Sequence, residues 1–298
     1  MNNGYVHLDD NAISIGGTNL TSLAILEDRI KDVTSISCSD LTIDDIDRHS
    51  DKLWILGNIT GLFSINQSIS KALLSRNRFV KIEFDYNFCK FRGEKPHRIL
   101  TKSECSCPHG ITGDGNISEL YKLLISDSRH TFFMSERQRA IYLQHLPLTD
   151  FSKTSILSSC FTKDSLKLFR DSRRKDSNDK YAILKGFGGW HSVAKGLEEA
   201  ENFCVSNNLP YDVLAIQPYQ NHIETLSGYK GLVFLPIIDD TCPRCIIEAK
   251  LLDIEVITNI NSQHVTEYWW DQDIETLEKY VSARPKYFWK TIDGIQLK

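Results

Sequence analysis

Short apolar runs alternate along this chain with segments that have helical character. The clearest apolar runs occupy residues 53–56, 79–84, 181–184, 213–216, 232–235 and 256–258, and each predicts a buried strand. Helices are predicted between them at residues 64–76, 117–128, 164–174 and 193–205. Strands and helices that alternate in this way form βαβ units, and βαβ units build parallel sheets. The pattern therefore predicts an α/β protein.

The most informative stretch covers residues 231–259. After its first apolar run come three side chains of the kind that caps a helix, Asp239, Asp240 and Thr241. Pro243 suits the first turn of the helix that follows. A second apolar run closes the stretch, so a strand, a helix and a strand are predicted in close succession. We expect one βαβ unit here.

Asp240 and Glu248 are separated by seven residues in this unit. Ligands of parallel sheets bind beyond the carboxyl ends of the strands, where helix N-termini point. A carboxylate there accepts two hydrogen bonds from a vicinal diol such as a ribose, and the N–H groups of a helix start hold phosphate. The alternative interpretation is a solvated loop aspartate and an exposed helix glutamate.

The spacing resembles the acidic-x7-acidic motif of retaining glycosyltransferases with the GT-B fold. In that family the first acidic residue lies by the donor sugar and the second binds the nucleotide ribose. The first residue is usually Glu, whereas this chain has Asp240, which is one methylene shorter. The resemblance implies two Rossmann-like domains with parallel sheets facing a cleft. It also implies transfer of a sugar from a nucleoside diphosphate sugar, for which a UDP-sugar is our first choice, with no cofactor and no metal at the reaction centre.

Two smaller motifs add to the resemblance. Gly16-Gly17 is similar to the glycine loop that faces the donor diphosphate, and two glycines before a helix let a ligand approach the backbone closely. Lys195-Gly196 is similar to the element whose lysine binds the diphosphate. Tyr219 either stacks on the nucleotide base or is a core tyrosine.

The candidate site residues follow from these motifs. Charge separation is the barrier to sugar transfer, and prearranged positive charge lowers it. Catalysis is assigned to Lys195, Asp240 and Arg244. Donor binding is assigned to Gly16, Gly17, Lys195, Glu248, Tyr219 and Thr241.

The predicted domain boundary lies near residue 150. Three segments are expected: an acceptor-side domain at 1–150, a nucleotide-sugar-binding domain at 151–280, and a C-terminal segment at 281–298 that crosses back to the first domain. Ser135 is expected to be the N-cap of a helix with Gln138 at its third position, and this block at Ser135-Glu136 is similar to the last βα unit of the GT-B N-terminal domain. A strand at 155–158 is expected to open the second domain, and a Trp-rich helix at 265–280 to end it.

Charge and hydropathy restrict the partners. The chain has 298 residues and a formal net charge of −4. Its net charge therefore provides no electrostatic attraction to nucleic acid or to an anionic membrane. No apolar run approaches the roughly 18 to 20 residues of a membrane helix, and the N-terminus lacks the apolar core of a signal peptide. We expect a cytoplasmic protein with no membrane partner. The oligomeric state is left open.

One stretch of the first half is locally basic. Its cations are Lys71, Arg76, Arg78, Lys81, Lys90, Arg92, Lys95, Arg98 and Lys102. They indicate either a surface for a polyanion or an ordinary solvated face. Asp85-Tyr86 follows a predicted strand, and Asp85 is either an acceptor-side group or a turn former. The acceptor side is assigned to Asp85, Tyr86, Arg92 and Arg98.

A polyanionic acceptor and a compact chain resemble the viral glycosyltransferases that modify hydroxymethylated pyrimidines in DNA. The hypothesis is therefore a DNA acceptor whose target base leaves the stack, because a stacked hydroxymethyl group cannot enter a cleft. The alternatives are a glycan or small-molecule acceptor, a non-catalytic protein that holds a nucleotide sugar, and an epimerase on the same fold.

The long irregular segment at 86–116 is rich in cysteine and histidine. Zinc ligands are available at Cys89, His97, Cys105, Cys107 and His109. The Cys-x-Cys spacing is tighter than the usual Cys-x2-Cys, so we expect no zinc. A buried cysteine cluster or a disulfide is the alternative.

Overall fold

The computed structural model describes residues 4–10, 16–27, 29, 32–59, 62, 67–89, 91–107, 121, 123–146, 150–173 and 177–296. The chain divides into two compact units. The first contains Met1–Cys160 and Arg284–Lys298, and the second contains Phe161–Ala283. Both are α/β structures, as the alternating pattern predicts.

The first unit is built on a six-stranded parallel sheet. Its strands are β1 (Tyr5–Asp9), β2 (Val33–Ser37), β3 (Leu53–Leu56), β4 (Arg78–Glu83), β5 (Thr131–Phe133) and β6 (Thr154–Ile156). Its helices include α1 (Gly17–Leu26), α2 (Ile43–Arg48), α3 (Gln67–Arg76), α4 (Glu94–Thr101) and α5 (Glu136–His145). The strand order is β2-β1-β3-β4-β5-β6. The order reverses beside β1, and open α/β sheets bind ligands at such a switch point.

The apolar runs of the sequence become the centre of this sheet. Every side chain of β3 is buried, and Trp54 and Leu56 pack with Val6 and Leu8 of β1. A strand of a parallel sheet is covered on both faces, which is why it is apolar at consecutive positions. Burying each large apolar side chain contributes about 1.5–3 kcal/mol. The core therefore holds the carboxyl ends of β1 and β3 in fixed positions.

The second unit has a four-stranded parallel sheet. Its strands are β7 (Tyr181–Leu184), β8 (Tyr211–Leu214), β9 (Gly231–Phe234) and β10 (Glu255–Thr258), in the order β10-β9-β7-β8. The helices are α6 (Lys163–Ser172), α7 (Gly189–Ala194), α8 (Leu197–Ser206), α9 (Tyr219–Leu226) and α10 (Arg244–Leu251). The predicted βαβ unit at 231–259 is thus β9-α10-β10. It pairs in register, with Leu232 opposite Val256.

The predicted strand at 155–158 belongs to the first sheet, not to the second. Thr154–Ile156 pairs with β5, and the N–H of Leu157 donates to the carbonyl of Phe133 over 2.7 Å. A three-residue strand carries no local signal of the sheet that it joins. The strand joins the first sheet because one edge of β5 is available for pairing there.

The last helix differs from the prediction. Instead of a Trp-rich helix at 265–280, the chain forms a 3-10 turn at Gln263–Thr266 and then α11 (Ile274–Gln296). The end of α11 packs within the first unit. The indole N–H of Trp289 donates to the carbonyl of Ile25 over 2.6 Å, and its ring lies 5.2 Å from that of Tyr5.

Among the residues described, no helix combines the length and the apolar character required to cross a membrane.

Candidate active site

The predicted helix at 193–205 is interrupted at Lys195-Gly196, and the interruption shapes the site. Helix α7 ends before Lys195, and Gly196 caps α8 with a left-handed φ of 74°. A Cβ at Gly196 would lie 1.7 Å from the carbonyl oxygen of Leu235, just beyond β9. Only glycine permits this approach. The N–H of Ile237 also donates to the carbonyl of Ala194 over 3.1 Å, so Lys195 is fixed beside the end of β9.

Lys195 and Asp240 form an ion pair at this point. The Nζ of Lys195 donates to Oδ2 of Asp240 over 2.5 Å. The side chain of Asp240 is 10% exposed and that of Lys195 is 35% exposed. The cation therefore faces solvent on one side while its position is set by a nearly buried carboxylate. These are two of the three residues assigned to catalysis.

Two asparagines hold the backbone that carries Asp240. The side-chain amides of Asn259 and Asn261 both donate to the carbonyl of Pro236, over 3.1 and 2.7 Å. The N–H of Asp240 donates to the carbonyl of Asn261 over 2.8 Å, and its carbonyl accepts from the N–H of Gln263 over 3.0 Å. These asparagines were not among the predicted site residues. Polar amides directly after a predicted strand were the available signal.

Glu248 is buried, not exposed on its helix. Its Oε1 accepts 2.8 Å hydrogen bonds from Nε of Arg244 and from the hydroxyl of Tyr219. Arg244 lies one helical turn before Glu248 on α10, and Tyr219 begins α9. The exposed-glutamate alternative is therefore wrong. Burial raises the pKa of Tyr219, and the adjacent Glu248 carboxylate raises it further, so Tyr219 acts as a hydrogen-bond donor.

Arg244 is packed between aromatic rings. Its guanidinium carbon lies 3.8 Å from the ring centroid of Phe161 and 5.8 Å from that of Tyr219. Arg244 and Glu248 are 7% and 4% exposed. Removing one member of a buried ion pair costs about 3–5 kcal/mol, because the other charge stays buried. Through these contacts Arg244 orients Glu248. The hydroxyl of Tyr219 is held between the same two residues, 2.8 Å from Oε1 of Glu248 and 3.5 Å from the Arg244 guanidinium.

The predicted cap of α10 does not form. Pro243 is the N-cap residue, with no side-chain cap hydrogen bond, where the sequence placed Pro243 in the first turn. Asp240 is used in the pair with Lys195, and Thr241 is buried. The side chain of proline cannot accept a hydrogen bond, so Pro243 does not cap the first N–H groups of α10.

The switch point of the first unit is organised by Asp9, which the sequence analysis did not select. Its carboxylate accepts from Ser22 Oγ over 2.7 Å and from the N–H of Asn58 over 2.9 Å. Burial raises the pKa of Asp9, and these two hydrogen bonds oppose that rise. A Cβ at Gly57 would lie 2.7 Å from Oδ2, so a larger residue there would displace this carboxylate.

Gly16 and Gly17 lie where the sequence predicts, at the start of a helix. Gly16 is the N-cap of α1 and has extended backbone, with φ −99°. Among the described residues, a Cβ at Gly16 would meet the side chain of Asn19 at 3.7 Å. The residues that were expected to lead into this loop, 11–15, lie outside the described part of the chain.

The acceptor-side residues lie beyond the end of β4. Arg92 forms an ion pair with Asp85 over 3.1 Å, and Arg98 lies 3.5 Å from Glu104. Tyr86 is buried and stacks on Tyr142, with the ring centroids 6.0 Å apart. Tyr86 is thus a core residue, which contradicts its assignment as a group that meets the acceptor. Both arginines have side chains more than half exposed.

The charge pattern placed Lys81 on a basic surface, and that prediction is wrong because the residue is buried. It is 1% exposed, and its Nζ lies 3.3 Å from Oε2 of the fully buried Glu83. The Nζ also donates to the carbonyls of Gly57, over 2.6 Å, and of Ile82. Tyr142 donates to Oε1 of Glu83 over 2.8 Å. A lysine within an apolar run was the signal that this cation is internal.

No protein-family model matches the chain, and no curated protein matches it. Solved structures do match. The Anabaena protein Alr3699/HepE in complex with UDP superposes with a TM-score of 0.58 at 9% identity, covering 98% of this chain and 100% of that one. AviGT4, a glycosyltransferase involved in avilamycin A biosynthesis, gives 0.56 at 9% identity, with 98% of both chains covered. An alpha-glucosyltransferase in complex with UDP and a 13-mer DNA containing an HMU base gives 0.54 at 9% identity, with 99% of both covered.

At this identity the likeness shows the fold alone. The chain has the two-unit α/β architecture with parallel sheets of the GT-B glycosyltransferases, so the predicted fold class is confirmed.

Proposed function

We propose that the chain is a glycosyltransferase that takes its sugar from a nucleoside diphosphate sugar, and that the second unit binds the donor. One observation carries the proposal: the pair Lys195–Asp240 lies at the carboxyl end of β9, and the group Arg244–Glu248–Tyr219 joins helix α10, which follows β9, to the start of α9. A diphosphate needs an anchored cation, and a ribose diol needs an oriented carboxylate. Both are preassembled by residues of this unit.

Glu248 is the proposed ribose ligand. Arg244 and Tyr219 both donate to Oε1, which orients the carboxylate, and its second oxygen is the proposed acceptor for the diol. The positive charge of Arg244 compensates the buried carboxylate. Arg244 is accordingly a positioning residue rather than a catalytic one.

Lys195 is the proposed catalytic cation. An ammonium has three N–H donors, and Asp240 takes one of them in the pair. The ammonium is 35% exposed, and we propose that it meets the diphosphate, whose charge grows as the bond to the sugar breaks. Asp240 keeps the ammonium at the end of β9 and lies on the sugar side of the diphosphate.

Three finer features complete the proposal. The donor is a UDP-sugar carrying a hexose, in line with structures of this fold that were solved with UDP and UDP-glucose. Transfer retains the anomeric configuration, in line with the acidic-x7-acidic spacing of Asp240 and Glu248. No metal and no cofactor take part at the reaction centre.

The proposed acceptor is a 5-hydroxymethylpyrimidine in DNA. Support comes from the alpha-glucosyltransferase of this fold that was solved with DNA containing an HMU base. The exposed guanidinium groups of Arg92 and Arg98 are the proposed phosphate contacts. Arg76 pairs with Asp47 over 2.8 Å, and phosphates must compete with that carboxylate and with Asp85 and Glu104.

A glycan or small-molecule acceptor is the second candidate. It is favoured by one specific observation: Arg76, Arg92 and Arg98 each have an acidic partner, and Lys81 is buried. The cationic surface available to DNA is smaller than the sequence suggests.

Labelled sugar transfer tests the proposal. The protein is incubated with UDP-glucose and other nucleotide sugars, and with duplexes containing hydroxymethylcytosine, hydroxymethyluracil or unmodified bases. We expect UDP to raise the melting temperature, and label to enter only hydroxymethylated DNA, less efficiently as salt rises. Transfer to glycans alone would overturn the DNA acceptor. Stabilisation by UDP with no transfer to any acceptor would indicate a nucleotide-binding protein without turnover.

A further inference from the structure

Four potential metal ligands that the sequence spaces irregularly are gathered at one point of the first unit. The Sγ atoms of Cys89, Cys105 and Cys107 and a ring nitrogen of His97 all lie within 4.8 Å of one another. We propose that these residues bind a structural Zn²⁺ ion with three thiolates and one imidazole. The proposal is independent of the glycosyltransferase activity.

The distances fit a tetrahedral ion. Nδ1 of His97 lies 3.5 Å from Sγ of Cys89 and 3.5 Å from Sγ of Cys107. Zinc bonds of about 2.3 Å to sulfur and about 2.0–2.1 Å to nitrogen, at tetrahedral angles, separate ligand sulfur and nitrogen by about 3.6 Å. The same geometry separates two ligand sulfurs by about 3.8 Å, so a ligand pair at the 4.8 Å limit would close by about an ångström. Four protein ligands make the closed coordination that is typical of structural zinc.

The backbone around Cys89 has the form of a ligand turn. The N–H of Cys89 donates to the carbonyl of Tyr86 over 3.1 Å, and the N–H of Arg92 donates to the carbonyl of Cys89 over 2.8 Å. The N–H of Phe91 points at the sulfur, 3.4 Å away. Arg92 has a positive φ of 61°, which bends the chain around the thiol. An N–H directed at sulfur stabilises the thiolate that a metal requires.

Helix α4 supplies the fourth ligand. His97 lies in its middle and is 6% exposed, with its ring 4.9 Å from that of Phe91. The helix ends at Lys102, whose left-handed φ of 58° reverses the chain toward the last two cysteines. The spacing Cys-x7-His-x7-Cys-x-Cys is therefore satisfied by one helix and two turns. Cys-x-Cys looked unsuitable for zinc because the sequence does not show which distant residues complete the set.

The location explains what the ion would do. Cys89 and Cys107 are buried in a cluster with Phe88, Tyr142 and other apolar side chains. Within the described residues between β4 and 107, regular structure amounts to α4 alone, which is eight residues long. An isolated helix of that length is not stable in water. A metal ion would join Cys89 at one end of the segment and Cys107 at the other to His97 on the helix, and so would hold the short helix in place.

Metal analysis of the whole protein tests the proposal. The chain is expressed without a histidine tag and measured by plasma mass spectrometry, with the expected result of about one zinc per chain. A strong chelator should remove the zinc and lower the melting temperature. Replacing zinc by Co²⁺ should produce the visible d–d bands of a tetrahedral thiolate site, which a disulfide or a thiol cluster does not give.

Variants separate the site from the other cysteines. Cys105→Ser changes the half-buried ligand and should lower zinc content at least about tenfold, since zinc prefers thiolate to hydroxyl. Cys204→Ser, in the core of the second unit, is the matched control and should keep full zinc. His97→Cys should still bind Co²⁺, with a shifted spectrum, because four thiolates also make a zinc site.

Three outcomes would overturn the proposal. They are wild-type protein without stoichiometric zinc and without Co²⁺ bands, a disulfide among the three cysteines in native protein, and full zinc content in Cys105→Ser. The wild-type measurements by themselves decide whether the site binds zinc. The proposal therefore stays testable even if a variant fails to fold.

Discussion

The side chains of Lys195 and Asp240, 45 positions apart in the chain, meet as an ion pair with 2.5 Å between Nζ and Oδ2. The pair exists because Gly196 lets its loop approach the end of β9, where the backbone of Asp240 is held by Asn261. The cation is thus placed before any ligand arrives. A preorganised charge of this kind needs little rearrangement when negative charge develops nearby.

Lys195→Ala should reduce turnover more than donor binding. Removing one electrostatic stabiliser of a developing charge costs about two to three orders of magnitude in kcat. Steady-state kinetics with the active donor and acceptor measures this, and Lys167→Ala, an exposed lysine paired with Asp171, is the matched control. Wild-type kcat in Lys195→Ala would remove this lysine from the mechanism.

Substitution of Glu248 should affect both binding and stability. Glu248→Gln should weaken the binding of the nucleotide sugar by about 2–4 kcal/mol, the cost of losing a charged partner. Glu248→Ala should also destabilise the fold by about 3–5 kcal/mol, because it leaves Arg244 buried without its carboxylate. Calorimetric titration with UDP and urea denaturation measure the two effects. Glu199→Gln on the exposed start of α8 should change neither, and equal UDP affinity in Glu248→Gln would contradict the ribose assignment.

Gly196→Ala should be far more damaging than a similar change nearby. At Gly196 the new methyl group would lie 1.7 Å from a carbonyl oxygen, whereas at Gly189, also with positive φ, it would meet no atom of the described residues within 4 Å. Left-handed strain alone costs about 1–3 kcal/mol. We expect Gly189→Ala to lose about that much in thermal denaturation, and Gly196→Ala to lose more and to lose activity. Equal losses would show that the loop relaxes at no cost.

His130 should make the first unit sensitive to acid. Burial lowers its pKa to about 4, and Nε2 lies 2.8 Å from Ser155 Oγ. In the unfolded chain histidine titrates near about 6.5, so between pH 6.5 and 4 the unfolded state binds a proton that the folded state does not. Stability therefore falls as pH falls through this window, by up to about 3 kcal/mol from this residue.

Urea denaturation at a series of pH values checks that expectation. His130→Asn lacks the titrating ring, so its stability should fall less than that of the wild type between pH 7 and pH 4. Curves that stay parallel over this range would show that His130 does not carry the effect.

Local patterns predicted the centre of both sheets. Strands at 53–56 and 181–184 were predicted to the residue, because buried parallel strands are apolar at every position. The helix start at Ser135 was also predicted, and its Oγ accepts from the N–H of Gln138 over 3.0 Å. Capping and apolar runs act within a few residues, so they are visible in sequence.

The sequence by itself determined the α/β class and the candidate chemistry of the second unit, since Lys195, Asp240 and Glu248 were selected from motifs alone. Only the tertiary structure decided which sheet Thr154–Ile156 joins, that Lys81 is buried against Glu83, and that His97 meets three thiols. These outcomes depend on contacts between residues far apart in the chain. Such contacts form when the whole core packs, and no local pattern records them.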